Sequence, residues 1–174
     1  GISVFESASE HNSDMKVAQD IWNQSLKTAG MCKKIAAVLG LGLQGEEFIT
    51  GLLADIGIMG LLRSNDATYR ALYSALAQDQ RALRKAEQLH YGFTHAAVSK
   101  AMTQRWNLPQ TLSDAVGLQY AGAGLSLEDS KDPKLAALVR IAKSIDYARE
   151  GEERIESALE EEDAWAILSN SRKN

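Results

Sequence analysis

Residues Ala18, Ile21, Trp22, Ser25, Ala29, Cys32, Ala36 and Leu39 follow one another at three- and four-residue steps until Gly40 and Gly42 end the run. That period belongs to a helix with one buried face, because a half-buried strand would need apolar residues at every second position. Ser13 and Asp14 offer a cap for its beginning. No strand-like alternation of useful length occurs elsewhere, and no repeat with a period of a few tens of residues. Only two prolines occur in 174 residues, and Ala, Leu, Glu, Lys, Gln and Arg favour helix among the rest. The fold class read from this is all-α.

Residues 1–13 are polar and without period, so they read as a disordered or extended segment, ahead of a helical core over 14–148. A second helix is expected over 44–56; being nearly apolar after Glu47, it should sit at the centre of a bundle. Tyr69, Leu72 and Leu76 mark a third helix, and Leu83, Ala86 and His90 a fourth that closes at Gly92. Thr94 caps the next, which carries Val98, Ala101 and Met102 towards Trp106. Pro109 suits the first turn of a helix with Leu112, Val116 and Gln119 inward, and 121–124 read as a loop. Asp132 and Pro133 start the last long helix, with Leu135, Leu138, Ile141, Ala142 and Ile145 inward. Beyond Ala148 the chain turns acidic, and 149–174 read as a solvated helical extension of the same domain, anchored by Trp165 and Leu168.

The net charge of -4, with basic residues scattered, argues against nucleic acid or an anionic membrane surface as partner, since both are held by clustered Lys and Arg. A lone cysteine, Cys32 on the apolar stripe, can form neither an internal disulfide nor a thiolate zinc cluster and reads as a buried, inert thiol. The apolar run 51–62 is broken by Asp55 and falls short of the ~20 residues a membrane span requires. The expected location is cytoplasmic. A first residue of Gly1 rather than Met points to a processed or excised fragment.

Two residues stand out chemically. Asp55 lies inside an otherwise apolar segment, where an unpaired carboxylate would cost several kcal/mol, so it must find donors, a cation or a proton. Capping a neighbouring helix or pairing with an arginine would serve equally. His95 reads either as a packed, hydrogen-bonded core residue or as a ligand. The glycines at 40, 42 and 45 lack the preceding strand and the following Gly-Lys-Ser/Thr of a phosphate loop and read as plain loop residues.

Taken in order, Trp22-x-x-Ser25 with Ala29, then Gly51-Leu52-Leu53-Ala54-Asp55-Ile56-Gly57, Glu87, Tyr91-Gly92-Phe93-Thr94-His95 and Trp106-Asn107-Leu108-Pro109 resemble the HDOD domain, a relative of the HD and HD-GYP phosphohydrolases. The resemblance implies an HD-like orthogonal bundle of about seven to nine helices. It also implies that the family's N-terminal helical block is missing ahead of this region, and that the domain is a regulatory output module coupled to receiver, sensor or cyclic-dinucleotide domains.

In active relatives the resemblance implies a His on the first helix, the His-Asp pair and a later Asp, together holding a divalent ion that lowers the pKa of its bound water. Here Gln24 stands in place of the first His, Ala54 in place of the His of the pair, and Lys143, after Ala142, in place of the closing Asp. Gln119 and Tyr120 stand where a His-His step is common. Asp55 and His95 alone match, as weak metal candidates, and no cofactor is expected. Lys143 would repel a dication, whereas it could pair with Asp55 and solve that residue's burial. Gln24, Asp55, His95, Gln119, Tyr120 and Lys143 could line a remnant pocket for a small phosphorylated ligand, or simply form a hydrogen-bonded core. The expected function is a non-catalytic module acting through protein contacts; a sensor of a nucleotide or other anion is the alternative, and residual phosphohydrolase activity the third.

Overall fold

A computed structural model describes residues 2–64, 66–121, 126–147 and 161–171. The elements are α1 (Ile2–Leu39), α2 (Glu46–Leu53), α3 (Ile56–Arg63), α4 (Ala67–Leu76), α5 (Gln80–Tyr91), α6 (His95–Arg105), α7 (Gln110–Gly117), a 3-10 turn (Leu127–Asp129), α8 (Pro133–Tyr147) and α9 (Glu162–Ser171). The chain is all-helical, as its composition and periodicity predict. Among the described residues no helix is long and apolar enough to cross a membrane.

The helix starts differ from expectation in two places. α1 begins at Ile2, so 2–13 are helical rather than an extended or disordered lead, and Ser13 and Asp14 lie within the helix rather than capping it. A polar helix shows no apolar period to read, which is why this part escaped the pattern. The helix expected over 44–56 is in fact two, α2 and α3, broken at Ala54 and Asp55. Nor is it central throughout, since Ile49 is 48% exposed. The expected loop at 121–124, from residue 122 on, and the acidic stretch 148–160 lie outside the described residues.

Along α1 the buried face runs through Ile21, Ser25, Thr28, Ala29, Cys32 and Ala36. Trp22, placed on that face by spacing, instead stands 47% exposed at its edge. This face packs on α2 and α8. Close approach to α2 depends on Gly51, where a Cβ would come within 2.8 Å of the Ala29 backbone.

α8 is the bundle's central element. It contacts α1, α2, α7, α9 and the 3-10 turn, and Leu135 to Val139, Ile141 and Ala142 are inaccessible to solvent. Asp132 caps it by accepting from the Leu135 N–H at 3.0 Å. One buried core gathers Cys32, Ala36 and Ala54 with Ala115, Leu118 and the apolar residues of α8, and Ala164 and Leu168 close it from α9. A second, smaller core of Ile21, Ile58 and Tyr69 lies between α1, α3 and α4. Arg140 of α8 is buried beneath α9, donating from Nε to the Leu118 carbonyl at 3.0 Å and pairing with Asp163 at 3.2 Å and Glu161 at 3.7 Å. Between these two cores lies the α2–α3 break.

Candidate functional site

The break carries the one carboxylate of the apolar segment. Asp55 occupies the N-cap position of α3 but makes no side-chain cap bond, because its carboxylate is committed elsewhere. Lys143 Nζ of α8 donates to Oδ1 at 2.6 Å and Oδ2 at 2.5 Å, and both side chains are buried. Burial pushes the Asp55 pKa up, but the Lys143 charge, with His95, the Lys143 hydrogen bond and Arg84, outweighs it and holds the carboxyl below its ordinary value. Burial likewise pulls Lys143 down, and Asp55 with Tyr120 more than restores it, leaving the ammonium above its ordinary value. The pair is ionised on both sides.

Ser99 of α6 splices the broken helix. Its Oγ accepts from the Gly57 N–H and donates to the Ala54 carbonyl, each at 2.8 Å. These are backbone groups that the break would otherwise leave buried and unbonded. Only glycine permits this approach, since a Cβ on residue 57 would lie 2.2 Å from the His95 carbonyl oxygen. The Ala54 carbonyl also accepts from Gln119 Nε2 at 2.7 Å. Gln119, just past the end of α7 and not on it, is fully buried, and its Oε1 finds no partner.

His95 opens α6, behind Thr94 in the N-cap position. Thr94 provides no side-chain cap; Glu87 of α5 does, its Oε2 accepting from the His95 N–H at 2.9 Å. The same carboxylate lies 2.9 Å from His95 Nδ1 and accepts the Tyr69 hydroxyl at 2.8 Å. Burial raises the Glu87 pKa, and the His95 and Tyr69 bonds reverse this, so the carboxyl lies below its ordinary value. Nδ1 faces this acceptor-only carboxylate, and Nε2 lies 3.2 Å from the Tyr120 hydroxyl. His95 Nε2 also stands 3.9 Å from Asp55 Oδ1. Tyr69 is itself pushed well above the usual phenol range, first by burial and then by Glu87.

Of the residues singled out by sequence, Asp55, His95, Tyr120 and Lys143 therefore form one connected cluster, to which Ala54 and Gln119 add a neighbouring backbone bond. Gln24 sits half-buried on α1, where its carbonyl accepts from Thr28 at 3.2 Å. Sequence reasoning left out three participants: Ser99; Glu87, quoted in the family pattern but not placed in the site; and Arg84, whose guanidinium carbon lies 3.8 Å above the Tyr120 ring centre. The eight-residue spacing of Glu87 and His95 across the Gly92 turn could have joined those two. Cys32 is buried as expected, and burial pushes its thiol up to about 12.

These residues do not fit a divalent ion. A metal bound to Asp55 would need the space over both carboxylate oxygens that the Lys143 ammonium fills. Ala54 offers only its carbonyl, already accepting two bonds. His95 Nδ1 is taken by Glu87. Among the described residues no group of three or more His, Cys, Asp or Glu is placed to hold a metal.

The HDOD domain family model matches residues 1–121. No curated protein matches the chain. Among solved structures, the chain resembles a Shewanella amazonensis SB2B protein described as a "putative phosphohydrolase", with 21% identity and a TM-score of 0.63 over 88% of this chain. It spans 57% of that protein's chain. At this identity the likeness is one of fold. With a family model covering well over half its length, the chain belongs to the HDOD family.

Proposed function

We propose that this HDOD domain is a non-catalytic regulatory module that acts through contact with other protein domains. The observation that carries the first half is the Lys143 ammonium seated on both oxygens of Asp55. In a metal phosphohydrolase the ion must be free to bind water and a phosphate oxygen together and to acidify that water, and an ammonium spent on both oxygens of Asp55 supplies no such Lewis acid. The second half follows from the family's role as an output domain, and from exposed aromatic and aliphatic side chains at Met15, Trp22 and Leu26 along one edge of α1, of the kind that mark contact surfaces. Receiver, sensor and cyclic-dinucleotide domains are the partner classes to test.

Purified protein reconstituted with manganese or iron is expected to bind neither stoichiometrically and to leave phosphomono- and diesters intact. Turnover that disappears in Asp55→Asn would overturn the non-catalytic reading. Binding to one of those domain classes, weakened by Trp22→Ala, is expected in calorimetry. Absence of binding and of any change in partner output across all three classes would remove the interaction reading.

A further inference from the structure

The cluster satisfies the hydrogen bonding of its charged groups with one exception. Lys143 and Asp55 neutralise each other. Both oxygens of Glu87 are filled by Tyr69 and by His95. The group that this bonding leaves over is Arg84. Its guanidinium lies 3.8 Å over the Tyr120 ring centre, and among the described residues no carboxylate or carbonyl accepts from it.

Burial changes in one direction along this chain of contacts. Asp55, His95 and Lys143 are inside, whereas Tyr120 and Arg84 are each half-buried. Tyr120 is thus the wall between interior and surface, with its hydroxyl on His95 Nε2 and its ring under Arg84. A guanidinium seated over an aromatic ring is restrained there, and among the described residues its N–H groups meet no acceptor. That is the arrangement in which a planar fork takes two oxygens of one anion with little ordering left to do. The Lys143 ammonium, 5.4 Å from the same ring centre, adds positive potential behind it.

We propose that Arg84, held over the Tyr120 ring at the outer edge of the Asp55–Lys143 cluster, is an oxyanion-binding group that takes the phosphate or carboxylate of a small molecule. It goes beyond the regulatory reading and stands without it. It places the anion on Arg84 rather than on Lys143 or His95, both of which are already engaged internally.

The test titrates the whole chain with inorganic phosphate in one arm and acetate in the other, each against chloride at matched ionic strength, and follows the side-chain resonances of Arg84 and Tyr120 by NMR. Saturable shifts of both residues in at least one arm are expected, and the responding arm identifies the oxyanion. Arg84→Gln should weaken that binding by at least about tenfold, a change of about 1.4 kcal/mol in affinity. Arg84→Lys, which keeps the charge and loses the fork, should fall between. No saturable shift above chloride in either arm would overturn the proposal, as would binding left unchanged by Arg84→Gln. The wild-type shifts decide the matter even where a variant fails to fold.

Discussion

Lys143 reaches across 88 positions of sequence to bind both oxygens of Asp55, and the helix that lost its continuity at Asp55 is held there by a cation from α8. Removing one member should strand the other. Lys143→Met is expected to destabilise the fold by about 3–5 kcal/mol, while the double change Asp55→Leu with Lys143→Met should recover most of that loss, because a buried pair repays little beyond its own desolvation. Urea unfolding of the two singles and the double closes the cycle. A double variant as unstable as the sum of the singles would contradict it.

The same pair sets the pH window of stability. Asp55 and Glu87 have folded pKa values below their ordinary 3.8 and 4.5. Their contribution is therefore fully present above those values and is lost as pH falls through the lower folded ones. Lys143 lies above its ordinary 10.5, so its contribution is present below that value and is lost as pH rises through the folded one. Thermal unfolding should show a plateau from about pH 5 to pH 10 with a fall on either side. Lys143→Met should abolish the alkaline fall attributable to this pair.

Gly57 and Gly60 stand one turn apart on α3 and meet different neighbours. A Cβ at 57 would strike the His95 carbonyl at 2.2 Å, a backbone atom that cannot yield, whereas at 60 it would meet the flexible Met102 sulfur at 2.8 Å. Gly57→Ala is expected to cost more than ~3 kcal/mol and Gly60→Ala less than ~1.5 kcal/mol. Comparing their melting temperatures ranks the two.

Glu87 accepts from the His95 backbone and from Tyr69 and faces His95 Nδ1. Glu87→Gln turns one acceptor into a donor against these donors and should cost about 2–3 kcal/mol, more than the ~1.5 kcal/mol of Tyr69→Phe, which removes a single charge-assisted bond. Equilibrium unfolding of the two variants supplies the comparison.

The pattern of apolar residues made the helices legible and left their breaks obscure. The run from Glu47 to Ile56 is apolar on both sides of Ala54, and only the three-dimensional need of Asp55 to meet α8 and of Ser99 to bond two backbone groups explains why it divides there. The fit of Lys143 to Asp55 could be argued from chemistry, since a buried carboxylate demanded a cation and a lysine stood where an acid was expected. Arg84 carried no such signal, because on an exposed-looking helix rich in Gln, Arg and Lys one arginine reads like its neighbours. Its stacking on Tyr120 comes from two segments 36 positions apart, a relation no local period encodes.

α8 is enclosed so completely that its apolar residues cannot define its rotation: Leu135, Ala136, Ala137, Leu138, Val139, Ile141 and Ala142 are all inaccessible, and a greasy cylinder has no preferred angle. Arg140 and Lys143 supply one. A slip by a single residue would swing both by about 100° and separate each from its carboxylates, Glu161 and Asp163 for the first and Asp55 for the second. The two cations act as index pins, so that the rod at the heart of the bundle is aligned by charge and merely filled by hydrocarbon.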